Sequence, residues 1–266
     1  MLDVPEHNRK AWDHLVDKGD QWTRCVDEKT IASARAGNWS IVLTNLKPVP
    51  RNWFPQSLVG ERILCLASGG GQQGPVLAAA GASVTVFDNS AKQLDQDRHV
   101  ALRDNLDITT ELGDMCDLSR FAANTFDIIV HPVANLFVES VLPLWREAAR
   151  VLKPGGTLLA GFANPVLFIF DLKQMEEGKL IVRHRVPYAD QNDLCEEELQ
   201  SLILADTAPL CHGHSLHDQI QGQLDAGFML AGFYEDKAGD GVLREYIDTF
   251  IATRSIKIDP AMLSTQ

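Results

Sequence analysis

The chain has 266 residues, of which 45% are hydrophobic and 23% charged, a balance typical of a globular protein with a core of its own. Its formal net charge of -12 at pH 7 argues against a partner rich in phosphate groups, so we expect no nucleic acid to bind. No stretch approaches the roughly 20 apolar residues of a membrane helix, and the N-terminus lacks an apolar signal core. The sequence therefore predicts a protein that has no membrane partner.

The cysteines bear on the cellular location. There are five, an odd number, and none forms a Cys-x-x-Cys pair. Scattered cysteines of this kind are typical of reduced thiols in a cytoplasmic protein. We therefore expect a soluble cytoplasmic protein without a structural zinc site.

Residues 61–161 alternate short apolar runs with helical stretches, which predicts a parallel sheet with crossover helices. The predicted elements in this region are strands at 62–67, 83–88, 108–112, 126–131 and 157–162, and helices at 74–80, 91–103 and 138–152. A helix at 216–226 and strands at 228–234 and 250–256 follow. The predicted fold class is α/β, a doubly wound and mostly parallel sheet of seven strands.

Two segments fall outside this predicted core of residues 61–163 and 215–258. Residues 1–60 hold four of the five tryptophans and are interpreted as an N-terminal helical lid. Residues 164–214 are interpreted as an insertion that covers the substrate or supports dimerisation, with a β-hairpin at 167–172 and 179–186 and a helix at 196–205. Ligands bind at the carboxyl edge of open α/β sheets, so both segments are expected to cover that edge.

A glycine-rich run follows the first predicted strand and opens the next helix: Ala67, Ser68, Gly69, Gly70, Gly71, Gln72 and Gln73. Glycines let a backbone approach a ligand closely, and a helix N-terminus offers free N–H groups to an anionic ligand group. The same pattern also suits a tight turn between strand and helix that binds nothing.

Asp88 stands at the end of the second predicted strand, seventeen residues after Gly71. A carboxylate at that position accepts the ribose hydroxyls of an adenosine, which is consistent with either NAD or S-adenosylmethionine. Asp88 or Ser90 also suits the N-cap of the following helix, and the two roles are compatible.

Further landmarks fall in order along the chain. They are Gly113, Asp114 and Met115 after the third strand, the apolar run 126–130, and the Leu-Lys-Pro-Gly-Gly stretch at 152–156. With these residues the chain resembles the class I, or Rossmann-like, S-adenosylmethionine-dependent methyltransferases with a methyltransferase-11-like domain. The resemblance covers residues 60–165 well and residues 215–257 more loosely.

This resemblance implies S-adenosyl-L-methionine as the cofactor. It implies that the loop 67–71 holds the methionine part, that Asp88 holds the ribose, that Asp114 accepts from the adenine amino group and that Met115 packs on the ring. The full set of predicted cofactor-binding residues is Ala67, Ser68, Gly69, Gly70, Gly71, Gln73, Asp88, Asn89, Asp114, Met115 and His131.

The chain departs from the family pattern at two positions of the first loop. The family usually has an acidic residue at the position of Cys65 and a glycine at the position of Ala67. Other groups must therefore hold the ammonium and carboxylate of the cofactor, and the candidates are Gln73, His131 or a residue of the N-terminal segment.

His131 ends the fourth predicted strand and is the predicted catalytic residue. An unperturbed histidine titrates near neutral pH, so it is a candidate general base, although a cofactor contact through its backbone is an alternative. Asn135 nearby is interpreted as a group that orients the acceptor or binds backbone.

A cluster of Cys211, His212, His214 and His217 resembles a metal site at first sight. The sequence favours a loop and a capped helix instead, with Ser215 as N-cap and Asp218 three residues later. We predict no metal.

Methyl transfer from a sulfonium is an in-line displacement, so the protein mainly aligns donor and acceptor and excludes water. The predicted lid and insertion favour an enclosed small-molecule acceptor, and the predicted hairpin offers an edge for a homodimer. Two alternatives remain open. One is an NAD(P)-dependent oxidoreductase, which would leave Asp114 and residues 153–156 unexplained, and the other is a non-catalytic S-adenosylmethionine-binding regulatory protein.

Overall fold

The computed structural model describes residues 3–205 and 208–259. Residues 1–2 of the predicted lid and residues 206–207 of the predicted insertion lie outside this part. The strands are β1 (Arg62–Leu66), β2 (Ser83–Asp88), β3 (Ile108–Leu112), β4 (Phe126–His131), β5 (Leu152–Ala163), β6 (Tyr188–Ala189), β7 (His212–Gly213), β8 (Phe228–Asp236) and β9 (Phe250–Lys257).

The helices flank the sheet, and two of them, α1 and α2, lie in the N-terminal segment. They are α1 (Val4–Lys18), α2 (Glu28–Arg35), α3 (Gln73–Ala79), α4 (Ala91–Asp104), α5 (Leu142–Val151), α6 (Leu172–Glu176), α7 (Asp190–Asp193), α8 (Glu196–Ala205) and α9 (Gly222–Asp225). A π-helical turn, His217–Gln221, leads directly into α9. In the described part of the chain, no helix is long and apolar enough to cross a membrane.

The main sheet has seven strands in the order β3-β2-β1-β4-β5-β9-β8. Strands β1 to β5 pair in parallel, whereas β9 runs antiparallel to both β5 and β8. This confirms the predicted fold class. The strand order reverses between β1 and β4, and the crevice outside their carboxyl ends is where open α/β sheets bind ligands.

Both faces of the central part of the sheet are buried, as β1 shows. Ile63 and Cys65 pack into one core cluster, and Leu64 and Leu66 pack into the other, where Trp145 of α5 is a fully buried member. A strand covered on both faces is apolar at every position instead of alternating. The continuous apolar runs of the sequence therefore predicted these strands well.

Most boundaries in the sheet agree with the prediction within two residues, and the starts of β5 and α5 differ by more. Strand β5 begins at Leu152 because Leu152 pairs with Phe126, and a register shift in β4 accommodates the turn residues 153–156. Helix α5 begins at Leu142 with Pro143 in its first turn, where a missing N–H costs nothing. A short 3-10 turn, Asn135–Phe137, precedes it.

The predicted hairpin in the insertion is wrong. Its first arm contains a 3-10 turn, Pro165–Phe168, and α6, and an isolated bridge between Phe170 and Val182 is the pairing between the arms. Asn164 and Asp171 cap these turns with their side chains, and such local hydrogen bonds compete with strand pairing. The hairpin edge on which we based the expected homodimer is therefore absent, whereas the predicted helix 196–205 is confirmed as α8.

The N-terminal segment is fixed to the carboxyl side of the sheet at several points. Asp236 at the end of β8 accepts hydrogen bonds from the Thr44 hydroxyl and from the backbone N–H groups of Leu46 and Lys47, at 2.7, 2.8 and 2.9 Å. The backbone of Leu43 lies flat on Gly161 of β5, where an added Cβ would overlap the Leu43 carbonyl. The segment therefore packs on the sheet itself.

We expect Gly161→Ala to destabilise the protein by about 1–3 kcal/mol, because the added methyl group would push Leu43 off β5. Gly239→Ala is the matched control, since Gly239 has open space around its Cβ position. Urea unfolding of both variants measures the difference. Equal stability of the two variants would contradict the described packing.

Candidate active site

A cavity of about 1090 Å³ lies at the carboxyl ends of the parallel strands. Loops after β1, β2, β3 and β4 form its floor, and residues of the N-terminal segment form one side. The lining residues from that segment include Arg9, Trp12, Trp22 and residues 42–45. The N-terminal segment thus encloses the crevice that the strand order creates.

Hydrogen-bond acceptors on β2 and α4 hold the loop after β1 in place. The Ala67 N–H donates to the Phe87 carbonyl at 2.7 Å, the Gly69 N–H to Asp88 Oδ2 at 3.0 Å, and the Gly70 N–H to the Gln93 carbonyl at 3.1 Å. These three amides are therefore already bonded within the protein. Ala67, Ser68 and Gly69 line the cavity, as predicted for a loop that contacts a ligand.

Gly70 and Gly71 belong to the same loop but are not among the cavity-lining residues. Both have positive φ, +99° and +70°, and both face the N-terminal segment. A Cβ at Gly70 would lie 2.8 Å from the Trp22 carbonyl oxygen, and one at Gly71 would lie 2.8 Å from Cys25 Sγ. These two glycines therefore permit close packing of the segment behind the loop.

Gln73 connects the loop to the N-terminal segment. It is the first residue of α3, and its side chain is buried. Its Oε1 accepts from the Ser68 hydroxyl at 3.2 Å, and its Nε2 donates to the Val42 carbonyl at 3.3 Å. Both Ser68 and Gln73 line the cavity.

Asp88 lies at the end of β2 with its carboxylate at the cavity wall. Its Oδ2 accepts from Gly69, and its Oδ1 accepts from the Ser90 N–H at 3.0 Å. Burial raises the pKa of Asp88, and the hydrogen bonds from the Ser90 and Gly69 amides oppose that effect. Because each carboxylate oxygen has two lone pairs, acceptor capacity remains for a ligand hydroxyl. Asn89 beside it is half-buried and also lines the cavity.

Ser90 has the capping role that the sequence suggested as compatible with a ligand role for Asp88. Its hydroxyl accepts from the Gln93 N–H at 3.1 Å at the start of α4 and donates to Asp13 of α1 at 2.6 Å. The N-terminal helix is therefore tied to the residue that follows the Asp88–Asn89 pair.

The loop after β3 forms the opposite wall. Gly113 lies under the Phe87 ring, where a Cβ would overlap it, and its N–H donates to the Asp88 carbonyl at 2.9 Å. Asp114 is exposed and accepts from the Cys116 N–H at 2.8 Å, while Met115 is buried in the wall. Asp114 and Met115 both line the cavity, beside the predicted ribose site.

His131 lies outside the cavity, in the core of the protein. Its ring is fully buried, with Nδ1 2.9 Å from the Leu66 carbonyl oxygen and its edge against Trp145, and it is not a cavity-lining residue. Burial lowers the pKa of His131 to about 4, so the ring is neutral at pH 7. The structure thus separates the predicted general base from the predicted cofactor residues.

Asn135 and the histidine cluster also form structural contacts. The Asn135 side chain pairs with the amide of Gln219, and the His214 ring donates to the Asn135 carbonyl at 3.0 Å. Ser215 and Asp218 form the predicted cap, with the Asp218 N–H donating to the Ser215 hydroxyl at 3.0 Å. Within residues 3–205 and 208–259, no group of three or more His, Cys, Asp or Glu side chains is placed to hold a metal.

Several lining residues were not predicted. Gln93, Leu112 and residues 42–45, 136–140 and 250 reach the cavity through tertiary packing. The tryptophan-rich composition was the one signal for the N-terminal contribution, and it did not single out Trp12 or Trp22. The insertion contributes no lining residue in its described part, 164–205 and 208–214.

Comparison with known proteins agrees with this geometry. A family model described as a methyltransferase domain matches residues 64–160. The uncharacterized methyltransferase YbaJ of Bacillus subtilis (strain 168) is 57% identical over 252 residues, which cover 95% of this chain and 98% of that protein. The chain belongs to the class I S-adenosylmethionine-dependent methyltransferases.

Other relatives match over less of their length or at lower identity. A demethylmenaquinone methyltransferase of Corynebacterium kroppenstedtii is 37% identical over 114 residues, which are 42% of this chain and 46% of that protein. The crystal structure of an S-adenosylmethionine-dependent methyltransferase from Mesorhizobium loti superposes with a TM-score of 0.57 at 21% identity, covering 77% of this chain and 94% of that one. The latter shows a shared fold.

The family and the fold imply S-adenosyl-L-methionine as the cofactor of this methyltransferase, and the cavity fits it. Asp88 retains acceptor capacity at the wall, and the Ala67–Gly69 backbone runs along the floor. The side chains of Leu112 and Met115 offer an apolar surface for a purine ring.

Ala67 is held with φ at +47°, a left-handed conformation that costs an L-residue about 1–2 kcal/mol. We expect Ala67→Gly to stabilise the protein by about 0.5–1 kcal/mol, since relief of strain exceeds the added entropy of the unfolded chain. Ala101→Gly within α4 is the control and should destabilise by about 1 kcal/mol. Thermal unfolding measures both, and a loss of stability in Ala67→Gly would contradict the strain.

The buried state of His131 also has a measurable consequence. Its pKa in the folded protein is about 4, below the ~6.5 of an unfolded chain, so stability is lost as pH falls from 6.5 towards 4. Between pH 7 and pH 5 this group should cost about 2 kcal/mol of unfolding free energy.

We expect the His131→Asn variant to lack this part of the pH dependence of the unfolding free energy. The His99→Asn variant, which changes an exposed histidine, should keep it. Urea unfolding at pH 7 and pH 5 measures the difference. An identical fall in stability for wild type and His131→Asn would show that another group titrates.

Proposed function

We propose that this methyltransferase transfers the methyl group of S-adenosylmethionine to a small, largely apolar acceptor bound in the same cavity. The cavity of about 1090 Å³, with its mostly apolar lining, is the observation that carries the proposal. Pockets of roughly 300–1,000 Å³ accommodate one small-molecule ligand, so a cavity of this size has room for an acceptor beside the cofactor. The cofactor supplies an activated methyl group on a sulfonium.

In this proposal the floor and one wall hold the cofactor. Asp88 accepts hydrogen bonds from the ribose hydroxyls, with Asn89 beside it, and Asp114 accepts from the adenine amino group while Met115 packs on the ring. Residues 67–69 and Gln73 contact the methionine part. The positions of these residues around one cavity support the assignment.

The remaining wall is proposed to bind the acceptor. It is lined by side chains that are mostly apolar or aromatic: Trp12, Leu43, Val133, Leu136, Phe137 and Phe250. These residues come from the N-terminal segment, the β4 exit and β9. They exclude water from the reacting atoms, which is the main requirement of an in-line displacement. The similarity to a demethylmenaquinone methyltransferase favours an apolar acceptor.

We further propose that the acceptor ionises readily without help from His131. That ring is buried behind the wall and its pKa is lowered to about 4, so it is not placed to take a proton from the acceptor. A thiol or an acidic carbon acid loses its proton near neutral pH and needs no dedicated base. The acceptor classes to test first are therefore apolar thiols and carbon acids.

Calorimetric titration of wild type with S-adenosylmethionine, S-adenosylhomocysteine, NAD and NADP tests the cofactor. We expect micromolar binding of the two adenosyl ligands alone. Asp88→Asn should weaken it at least tenfold, equivalent to ~1.4 kcal/mol, because the ribose loses an acceptor. Asp107→Asn, an exposed carboxylate just before β3, is the matched control and should bind like wild type.

Two outcomes would contradict the proposal. Binding of NAD or NADP in place of the adenosyl ligands would indicate an oxidoreductase. The second is tight binding of S-adenosylmethionine with no S-adenosylhomocysteine formed when apolar thiols or carbon acids are added. That result would indicate a regulatory protein that binds the cofactor and does not transfer its methyl group.

A further inference from the structure

Asp97 is a buried carboxylate that the proposed chemistry does not use. It lies on α4, its side chain is fully buried, and both of its carboxylate oxygens lack a hydrogen-bond partner among the described residues. A buried carboxyl group without a partner is costly. A function for Asp97 would explain why this cost is present in the core.

The carboxyl group of Asp97 lies behind the glycine-rich loop. A Cβ at Gly74 of α3 would lie 3.2 Å from Asp97 Oδ1. The negative charge of Asp97 contributes to raising the pKa of two buried thiols, Cys65 of β1 and Cys25 of the N-terminal segment, after the larger effect of burial on each. Asp97 is thus the point where β1, α3, α4 and the N-terminal segment meet.

The backbone amides of the glycine-rich loop lie next to this carboxyl group. The Gly69 N–H donates to Asp88 and the Gly70 N–H donates to the Gln93 carbonyl, so successive amides bond to successive acceptors along β2 and α4. Burial raises the pKa of Asp97 to about 8, and the backbone N–H of Gly71 is the largest influence that lowers it. A Cβ at Gly71 would lie 3.0 Å from the carbonyl oxygen of Gln96, the residue before Asp97, so the Gly71 backbone lies beside this carboxyl group without a hydrogen bond to either of its oxygens.

We propose that Asp97 is a positioning residue for the cofactor loop: its carboxyl group accepts from the Gly71 N–H when the methionine part of the cofactor binds on the other side of the loop. It thereby takes the place of the acidic residue that is missing at Cys65. This inference rests on the proposed cofactor. Asp97 contacts neither the cavity nor the cofactor, and it acts through the loop backbone.

The proposal predicts a loss that is confined to one part of the ligand. Methylthioadenosine has the adenosine and sulfur of S-adenosylhomocysteine but no amino-acid group. Asp97→Leu, which has a similar volume but no acceptor, should weaken S-adenosylhomocysteine at least tenfold and leave methylthioadenosine within twofold of wild type, as measured by calorimetry. Asp95→Leu, at an exposed position of the same helix, is the matched control and should change neither affinity.

Returning the acid to β1 provides a rescue. In the double variant Cys65→Asp with Asp97→Leu, a carboxylate is again beside the loop, and affinity for S-adenosylhomocysteine should recover to within threefold of wild type. Cys65→Asp alone places two acids together in the core and should lower the melting temperature. Thermal denaturation of each variant separates unfolding from loss of affinity.

Three results would overturn the inference. Asp97→Leu could bind S-adenosylhomocysteine like wild type, it could lose both ligands equally, or the double variant could fail to recover. If Asp97→Leu does not fold, amide hydrogen exchange of wild type decides: the Gly71 amide should become protected on addition of S-adenosylhomocysteine, and an unchanged rate contradicts the proposal. Absence of binding of both ligands to wild type would instead overturn the proposed function, and this inference with it.

Discussion

The hydrogen bond from the Gly69 amide to the Asp88 carboxylate is the contact on which the site depends. It joins the exits of β1 and β2, so the backbone that lines the cavity floor and the carboxylate that lines its wall are fixed by one interaction. The Gly113 amide bonds to the carbonyl of the same Asp88, which adds the β3 exit. The strand order places the carboxyl ends of β1, β2 and β3 side by side. The hydrogen bonds to Asp88 then hold together the loops that follow these strands.

The N-terminal segment determines how closed the site is. A bare α/β sheet would leave the crevice between β1 and β4 open to solvent. Here residues 42–45 pack on β5 and bond to Asp236, and α1 reaches the start of α4 through Asp13 and Ser90. The residues that cover this side of the cavity are therefore distant in sequence from the glycine-rich loop and from the landmarks at 113–115 and 152–156.

The sequence predicted the sheet well and side-chain directions poorly. Buried parallel strands are continuous apolar runs, so their positions were correct within a few residues, and Asp88 and Asp114 fell at strand ends where a ligand site forms. His131 was predicted from its position at a strand end, yet alternation along β4 puts it on the same face as Ile129, against α5. The hairpin failed because Asn164 and Asp171 cap local turns, and Asp97 gave no signal because its neighbours come from four separate segments.

The contact of Leu43 with Gly161 makes the N-terminal segment part of the same folding unit as the sheet. The family model spans residues 64–160 and stops one residue short of that glycine. Removal of the first 60 residues would strip the backbone that lies on β5 and would also delete Trp53, Phe54 and Leu58, which belong to the core cluster under the sheet. The region matched by the family model therefore does not contain a complete core in this chain.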